Sequence, residues 1–196
     1  MAVFILREGD VLNIQQIITE ADILAPNDVP IADKAAALTG INQDFFNVVK
    51  IPKIARFTSV VAQGDYTLPV DVRQKNIDLL MIGMFRYMSM DSAAVTPRQN
   101  AFSFDDASHV LSVWPAPYGV LEGFLRYRRI GMATYSVSDL STTPEAPEEY
   151  HWSYVLALAA YLANTQDDAI KAANYEAQYK ASWNVAAQNY QAGDAK

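Results

Sequence analysis

Apolar positions follow two different spacings along this chain, and the change from one to the other marks its main internal boundary. Val11, Ile14, Ile17, Ile18 and Ala21 recur at helical spacing behind Asp10, which stands where an N-cap carboxylate would accept a free amide of the first turn. Pro26, Asn27, Asp28 and Pro30 stop that helix. A second runs from Asp33 through Ala37, Leu38, Ile41, Phe45 and Val48, passing Gly40. Pro52 bounds it, because the residue before a proline avoids the helical region.

From Ile54 the period becomes 2, the spacing of strands. Ile54 to Val61 reads as a strand, Gln63 to Asp65 as a turn, and Tyr66 to Leu68 as a short return closed by Pro69. The apolar stretch from Asn76 to Met90 reads as one long strand. Leu79, Met81, Phe85 and Tyr87 share a pleat face with Gly83, where a bulge or a close backbone approach is expected. Phe102 and Phe104, a turn at Asp105 to Ser108, and Val110 to Trp114 read as a hairpin. Pro115, Pro117 and Gly119 end it. Leu121 to Arg129 supplies the last strand, with Leu125 and Tyr127 on one face and Phe124, Arg126 and Arg128 on the other.

A Ser, Thr and Pro-rich linker then leads into a helical hairpin. Pro147 suits a first helical position, and Glu148 and Glu149 follow where the helix dipole favours negative charge. Tyr150, Tyr154, Leu158 and Leu162 recur every fourth residue, while Trp152, Val155, Leu156, Ala159 and Tyr161 make other faces apolar too, so this helix is covered on more than one side. After Asn164 to Asp167, with Thr165 and Asp168 spaced as a capping box, a last helix carries Tyr175, Tyr179, Trp183, Ala187 and Tyr190 along one stripe. That is more apolar surface than one thin β layer can bury. It points to neighbouring copies of the chain and makes the aromatic stripe an interface candidate.

The predicted fold class is α+β: N- and C-terminal helices forming one helical bundle, with an antiparallel β block inserted between them, since each helix has an apolar face needing a partner. The expected boundaries are 1–52 for the N-terminal helices, 53–135 for the antiparallel β domain, 136–190 for the linker and the hairpin that completes the bundle, and 191–196 for a flexible tail.

Composition narrows the function. With 196 residues, 51% hydrophobic and 19% charged, the chain has room for one domain or one domain with an insertion. It carries no signal-like start and no apolar run of about eighteen residues, so a soluble intracellular protein is expected. The absence of cysteine excludes disulfides and thiolate chemistry. A net charge of −7 argues against a protein that grips phosphates; DNA meeting this chain would slide past. The 11 tyrosines and three tryptophans suit interface centres as well as cores.

No catalytic or cofactor constellation assembles. His109 and His151 have no acidic or histidine residue at i+3 or i+4, so no metal site is expected. Gly40, Gly64, Gly83 and Gly119 are isolated and form no phosphate loop, so no cofactor is expected. The pairs Glu148 with Glu149 and Asp167 with Asp168 are adjacent and diverge, which suits helix starts rather than glycoside cleavage. Arg126, Arg128 and Arg129, with Arg86 and Arg98, form a basic patch around Tyr127. It suits nucleic acid weakly, and a salt-bridged sheet face or an acidic neighbour better. A glycan- or receptor-binding module using Trp114 and Tyr118 is the rival to a structural role.

Three features in order resemble the head-to-tail adaptor (connector) proteins of tailed bacteriophages, of the podovirus type. They are Gly64 to Asp71, similar to a Y-x-L-P-x-D tag; Leu111 to Pro117, a strand ending in P-x-P before Phe124 to Tyr127; and Pro144 to His151, opening the aromatic helix. The resemblance implies a non-enzymatic structural protein of the virion neck that assembles in the host cytoplasm. It would form a ring of about twelve copies, a dodecamer, beneath the portal protein. The ring would present a lower surface to a tail nozzle or tail fibre protein and let genomic DNA pass without specific binding. In such adaptors the C-terminal segment reaches the portal. Here the portal or subunit interface candidates are Tyr175, Tyr179, Trp183, Tyr190, Gln191 and Lys196, and deleting residues 184–196 is expected to leave a folded chain that no longer binds portal.

Overall fold

The computed structural model describes residues 11–90 and 99–194; Asp10, Arg98 and Lys196 lie outside them. Four helices and a seven-stranded sheet make the chain α+β. It divides into two compact units: residues up to Val49 together with those from Gly131 onwards, and Lys50–Ile130 between them.

The first unit holds the helices α1 (Ile14–Leu24), α2 (Ile31–Val49), α3 (His151–Thr165) and α4 (Ala169–Asp194). Asn13 caps α1: its side chain accepts from the Gln16 amide at 2.8 Å while Gln16 returns a carboxamide oxygen to the Asn13 amide at 2.9 Å, so the helix begins three residues after Val11. α2 starts at Ile31, two residues ahead of Asp33, with the Pro30 carbonyl accepting from the Asp33 and Lys34 amides. A single 3-10 turn, Glu148–Tyr150, separates Pro147 from α3. Thr165 still belongs to α3 and gives its hydroxyl to the Leu162 carbonyl. The cap of α4 is Asp168, which accepts from the Lys171 amide at 3.1 Å. Asp167, at φ +57°, makes the turn between the two helices. The expected flexible tail is helical as far as Asp194, because Gln191 and Ala192 continue a run of helix formers.

Packing in this unit centres on Phe45 of α2. Its ring lies 5.3–5.7 Å from those of Phe46, Tyr150, Tyr154 and Trp183, which brings α2, α3 and α4 onto one aromatic cluster. Beside it runs a buried polar chain. The Tyr154 hydroxyl donates to Asn42 Oδ1 at 2.8 Å and Asn42 Nδ2 donates to Glu145 Oε2 at 3.0 Å. The same carboxylate accepts from the Met132 and Ala133 amides. The backbone leaving the sheet is held at Gly131 by close approach: a Cβ there would lie 2.8 Å from both Asn42 and Phe46.

The second unit is one sheet in the order β1-β7-β3-β4-β5-β6-β2, with β1 (Pro52–Thr58), β2 (Asp65–Thr67), β3 (Ile77–Ile82), β4 (Phe85–Ser89), β5 (Ala101–Asp105), β6 (Val110–Trp114) and β7 (Glu122–Arg128). Phe57 of β1 and Tyr66 of β2 sit on its two outermost strands, yet their rings are 5.0 Å apart, so the sheet curls back on itself. This closes a core of Leu80, Ile82, Phe102, Phe104, Leu111, Leu125 and Tyr127.

Three expectations are corrected here. The β block is not wholly antiparallel: β4 and β5 pair in parallel through Met88–Ala101 and Ser89–Phe102, which a crossing connection permits and a hairpin does not. The stretch from Asn76 to Met90 is two strands, because Gly83 at φ +58° and Met84 turn it into a hairpin. Leu80, Ile82 and Tyr87 therefore point inward, and Leu79 and Met81 to the other face. Finally, β1 and β2 do not pair with each other. β1 pairs with β7 and β2 with β6, choices set by tertiary closure rather than by the intervening turn.

Candidate functional site

In the helical unit α4 is the least covered element. Along its 26 residues only Trp183 and Ala186 are buried among those whose side chains the structure describes, and Ile170 stands 80% exposed. Two grooves of about 360 Å³ each flank this helix. One lies against α2 and α3 and is lined by Ile41, Ala160, Tyr161 and Ala172; the other lies towards Asn47, Val48 and Asn184. Asp44, Tyr179 and Trp183 border both. Asp44 is exposed on α2, and Glu176 forms an ion pair with Lys180 along α4.

The predicted interface residues separate into three kinds. Trp183 is interior: at 4% exposure its ring meets Phe45 edge-on at 5.6 Å and Tyr179 at 4.7 Å, and Nε1 donates to Ser153 Oγ at 2.8 Å. Tyr175 and Tyr179 are half-buried. The Tyr175 hydroxyl donates to the Leu24 carbonyl at 3.0 Å, tying α4 to the end of α1. Burial raises the pKa of both phenols. Tyr190 is half-buried and Gln191 exposed near the end of α4. Because Ala186 is wholly buried, a cut at residue 184 would remove core as well as surface.

The motifs that carried the resemblance fasten loops. Tyr66 and Leu68 fill the β core, and Asp71 is buried, accepting from the Tyr127 hydroxyl at 2.9 Å and pairing with Lys53 Nζ at 2.8 Å. Burial raises the Tyr127 pKa, helped by Asp71. The Pro115 carbonyl accepts from the Tyr87 hydroxyl, and that of Pro117 from the Ala62 amide. Glu145 holds residues 132–133, and the Tyr135 phenol, pushed up to about 12 by burial, accepts from the Glu145 amide at 2.9 Å.

His151 is buried, with Nδ1 accepting from the Leu12 amide at 3.3 Å and Nε2 facing the Ala146 carbonyl at 3.0 Å; burial lowers its pKa. His109 sits in the β5–β6 turn at φ +55°, in the other unit. Among the described residues no group of three or more potential metal ligands gathers. No described helix is long and apolar enough to cross a membrane.

Two further surfaces stand out, each touched in the sequence by only some of its residues: Tyr118 in one, and Arg86, Arg126 and Arg128 in the other. At one end of the sheet Met84 (93% exposed), Tyr118 (75%), Val120, Val60 and Val61 are bare, with Phe85 and Tyr118 edge to face at 6.3 Å. The turn at Gly83 and Met84 supplies one part of this end and the loops after β1 and β6 the rest; Tyr118 was its signal in the sequence. The second is the outer face of the β1-β7-β3-β4 half, where arginines alternate with apolar residues.

Side-chain and backbone hydrogen bonds hold the loops, and both units leave large apolar side chains exposed, the features of a structural rather than a pocket-centred protein. The SU10 adaptor protein family matches the chain over residues 12–195, and the chain belongs to that family. It is a phage head-to-tail adaptor, a structural component of the virion neck that associates with other virion proteins. No curated protein matches it.

Proposed function

We propose that this adaptor assembles as a ring, of about twelve copies, beneath the portal of a podovirus-type particle, joins head to tail, and lets the genome pass through its lumen. α4 is the portal-facing element, with Tyr190, Gln191 and the residues after them, Lys196 included, at the contact, and Tyr175 and Tyr179 towards the neighbouring subunit. Tail nozzle or fibre protein binds on the opposite side. The helices of the first unit act as one bundle that carries this docking end.

The observation that carries the proposal is the family match across nearly the whole chain, joined to a 26-residue helix of roughly 39 Å that the chain leaves largely uncovered. The excess of acidic residues supports an unbound passage for DNA. Exposed Trp114 and Tyr118 gave the glycan-binding alternative, which the family membership does not favour.

The test is truncation after Tyr190, which spares Trp183 and Ala186. The expected result is an unchanged melting profile with loss of portal capture in a pull-down on the cognate portal. Capture at wild-type strength would refute the assignment of the α4 end.

A further inference from the structure

The two units carry opposite charge. Lys50–Ile130 contains ten Lys and Arg against seven Asp and Glu, net +3, whereas the rest of the chain contains five against 15, net −10. In the β unit four of these ten basic residues, Arg56, Arg86, Arg126 and Arg128, lie on the outer face of the sheet. Cross-strand register places Arg56, Phe124, Met81 and Arg86 in one row across β1, β7, β3 and β4, and Ile54, Arg126 and Leu79 in the next. Ile54 and Met88 are more than half exposed.

This face is only partly satisfied within the chain. Arg56, with 63% of its side chain exposed, stacks 5.6 Å over Phe124 and pairs with Glu122. Arg128 holds Asp78 at 2.8 Å, which leaves Arg126 at 3.9 Å from the same carboxylate, its Nε buried without a hydrogen-bond partner. Arg86 is exposed and has no ion pair among the described residues. Guanidinium groups on an aromatic and aliphatic bed suit a protein partner that is both acidic and apolar.

We propose that this arginine face docks on the α2–α4 grooves of a second copy, lined by exposed Asp44 with Tyr179 and Val48, where Lys180 is already paired with Glu176. The subunit contact is then heterologous: the basic sheet face of one chain meets the acidic helical unit of the next, the type of contact that generates a ring. Opposite net charge on the two units steers that encounter, and like charge would repel. Duplex DNA is the weaker occupant, because Ile54, Leu79, Met81 and Met88 gain nothing from phosphate and Asp78 and Glu122 stand within the face. The inference rests on the ring reading above and names the surfaces that make the ring.

Sedimentation velocity of the full chain over a range of concentration and salt tests it. Wild type should self-associate, less so as salt rises, and Arg56→Glu/Arg86→Glu should weaken association by about tenfold or more. Adding Asp44→Lys should restore much of it, which no general loss of fold would do. Circular dichroism confirms that each variant is folded. A monomer at every concentration, an unchanged double variant, or rescue that fails in a folded triple variant would overturn the proposal. So would salt-sensitive capture of a duplex DNA fragment by this face in place of self-association. Portal capture by the folded double variant separates the two readings: if it persists, the adaptor assignment stands whatever becomes of this interface.

Discussion

Replacing Trp183 by alanine distinguishes a core from an interface role for the aromatic stripe of α4. The side chain is 4% exposed, meets Phe45 at 5.6 Å and Tyr179 at 4.7 Å, and donates to Ser153 at 2.8 Å. Truncating a buried aromatic of this size costs about 3–5 kcal/mol through lost burial and the cavity left behind. The hydrogen bond accounts for about 1 kcal/mol of that. For a chain of this length each kcal/mol lowers Tm by about 2–4 °C, so a drop on the order of 10 °C is expected. Trp183→Phe retains a ring against Phe45 but loses the N–H. Ser153 keeps its own bond to the Tyr150 carbonyl, so the loss should be smaller, about 1–2 kcal/mol. Differential scanning calorimetry and portal-templated assembly of the same preparations provide the comparison. A fall of less than about 3 °C in Trp183→Ala, with assembly abolished in a folded chain, would refute the core assignment.

Two further substitutions test the local arguments. Gly123→Ala places a Cβ 2.5 Å from the Phe57 ring, and overpacking should lower stability by about 1–3 kcal/mol in urea titration, with partial recovery in Gly123→Ala/Phe57→Leu; no recovery would mean that the ring is not the obstacle. Burial lowers the His151 pKa below its ordinary 6.5, so the unfolded chain binds the proton more readily: stability is fully present above 6.5 and declines as pH falls through that value towards the folded pKa. Between about pH 7.5 and 5 the Tm of wild type should fall more steeply than that of His151→Gln, and parallel slopes would exclude His151 as the source.

Local pattern was enough for elements whose cause is local. The apolar spacing of α1 and α2, the aromatic row of α3 and the inward Leu125 and Tyr127 of β7 follow from periodicity, because burying one face needs only the right residue at the right interval. Two of the three motifs were legible for a related reason: the carboxylates of Asp71 and Glu145 hold buried or backbone groups that few other side chains could hold. They spoke for a family more clearly than for a binding site, since their work is internal.

Partners distant in the chain were another matter. That Trp183 points at Phe45, that β1 joins β7 and β4 runs parallel to β5, and that Arg56, Phe124, Met81 and Arg86 fall in one row depend on contacts between residues far apart in sequence. A tyrosine and tryptophan stripe has the same spacing whether it meets its own core or another subunit. Only the packed chain, by covering Trp183 and leaving Ile170, Asp44 and the arginine face open, decides which surfaces remain for assembly.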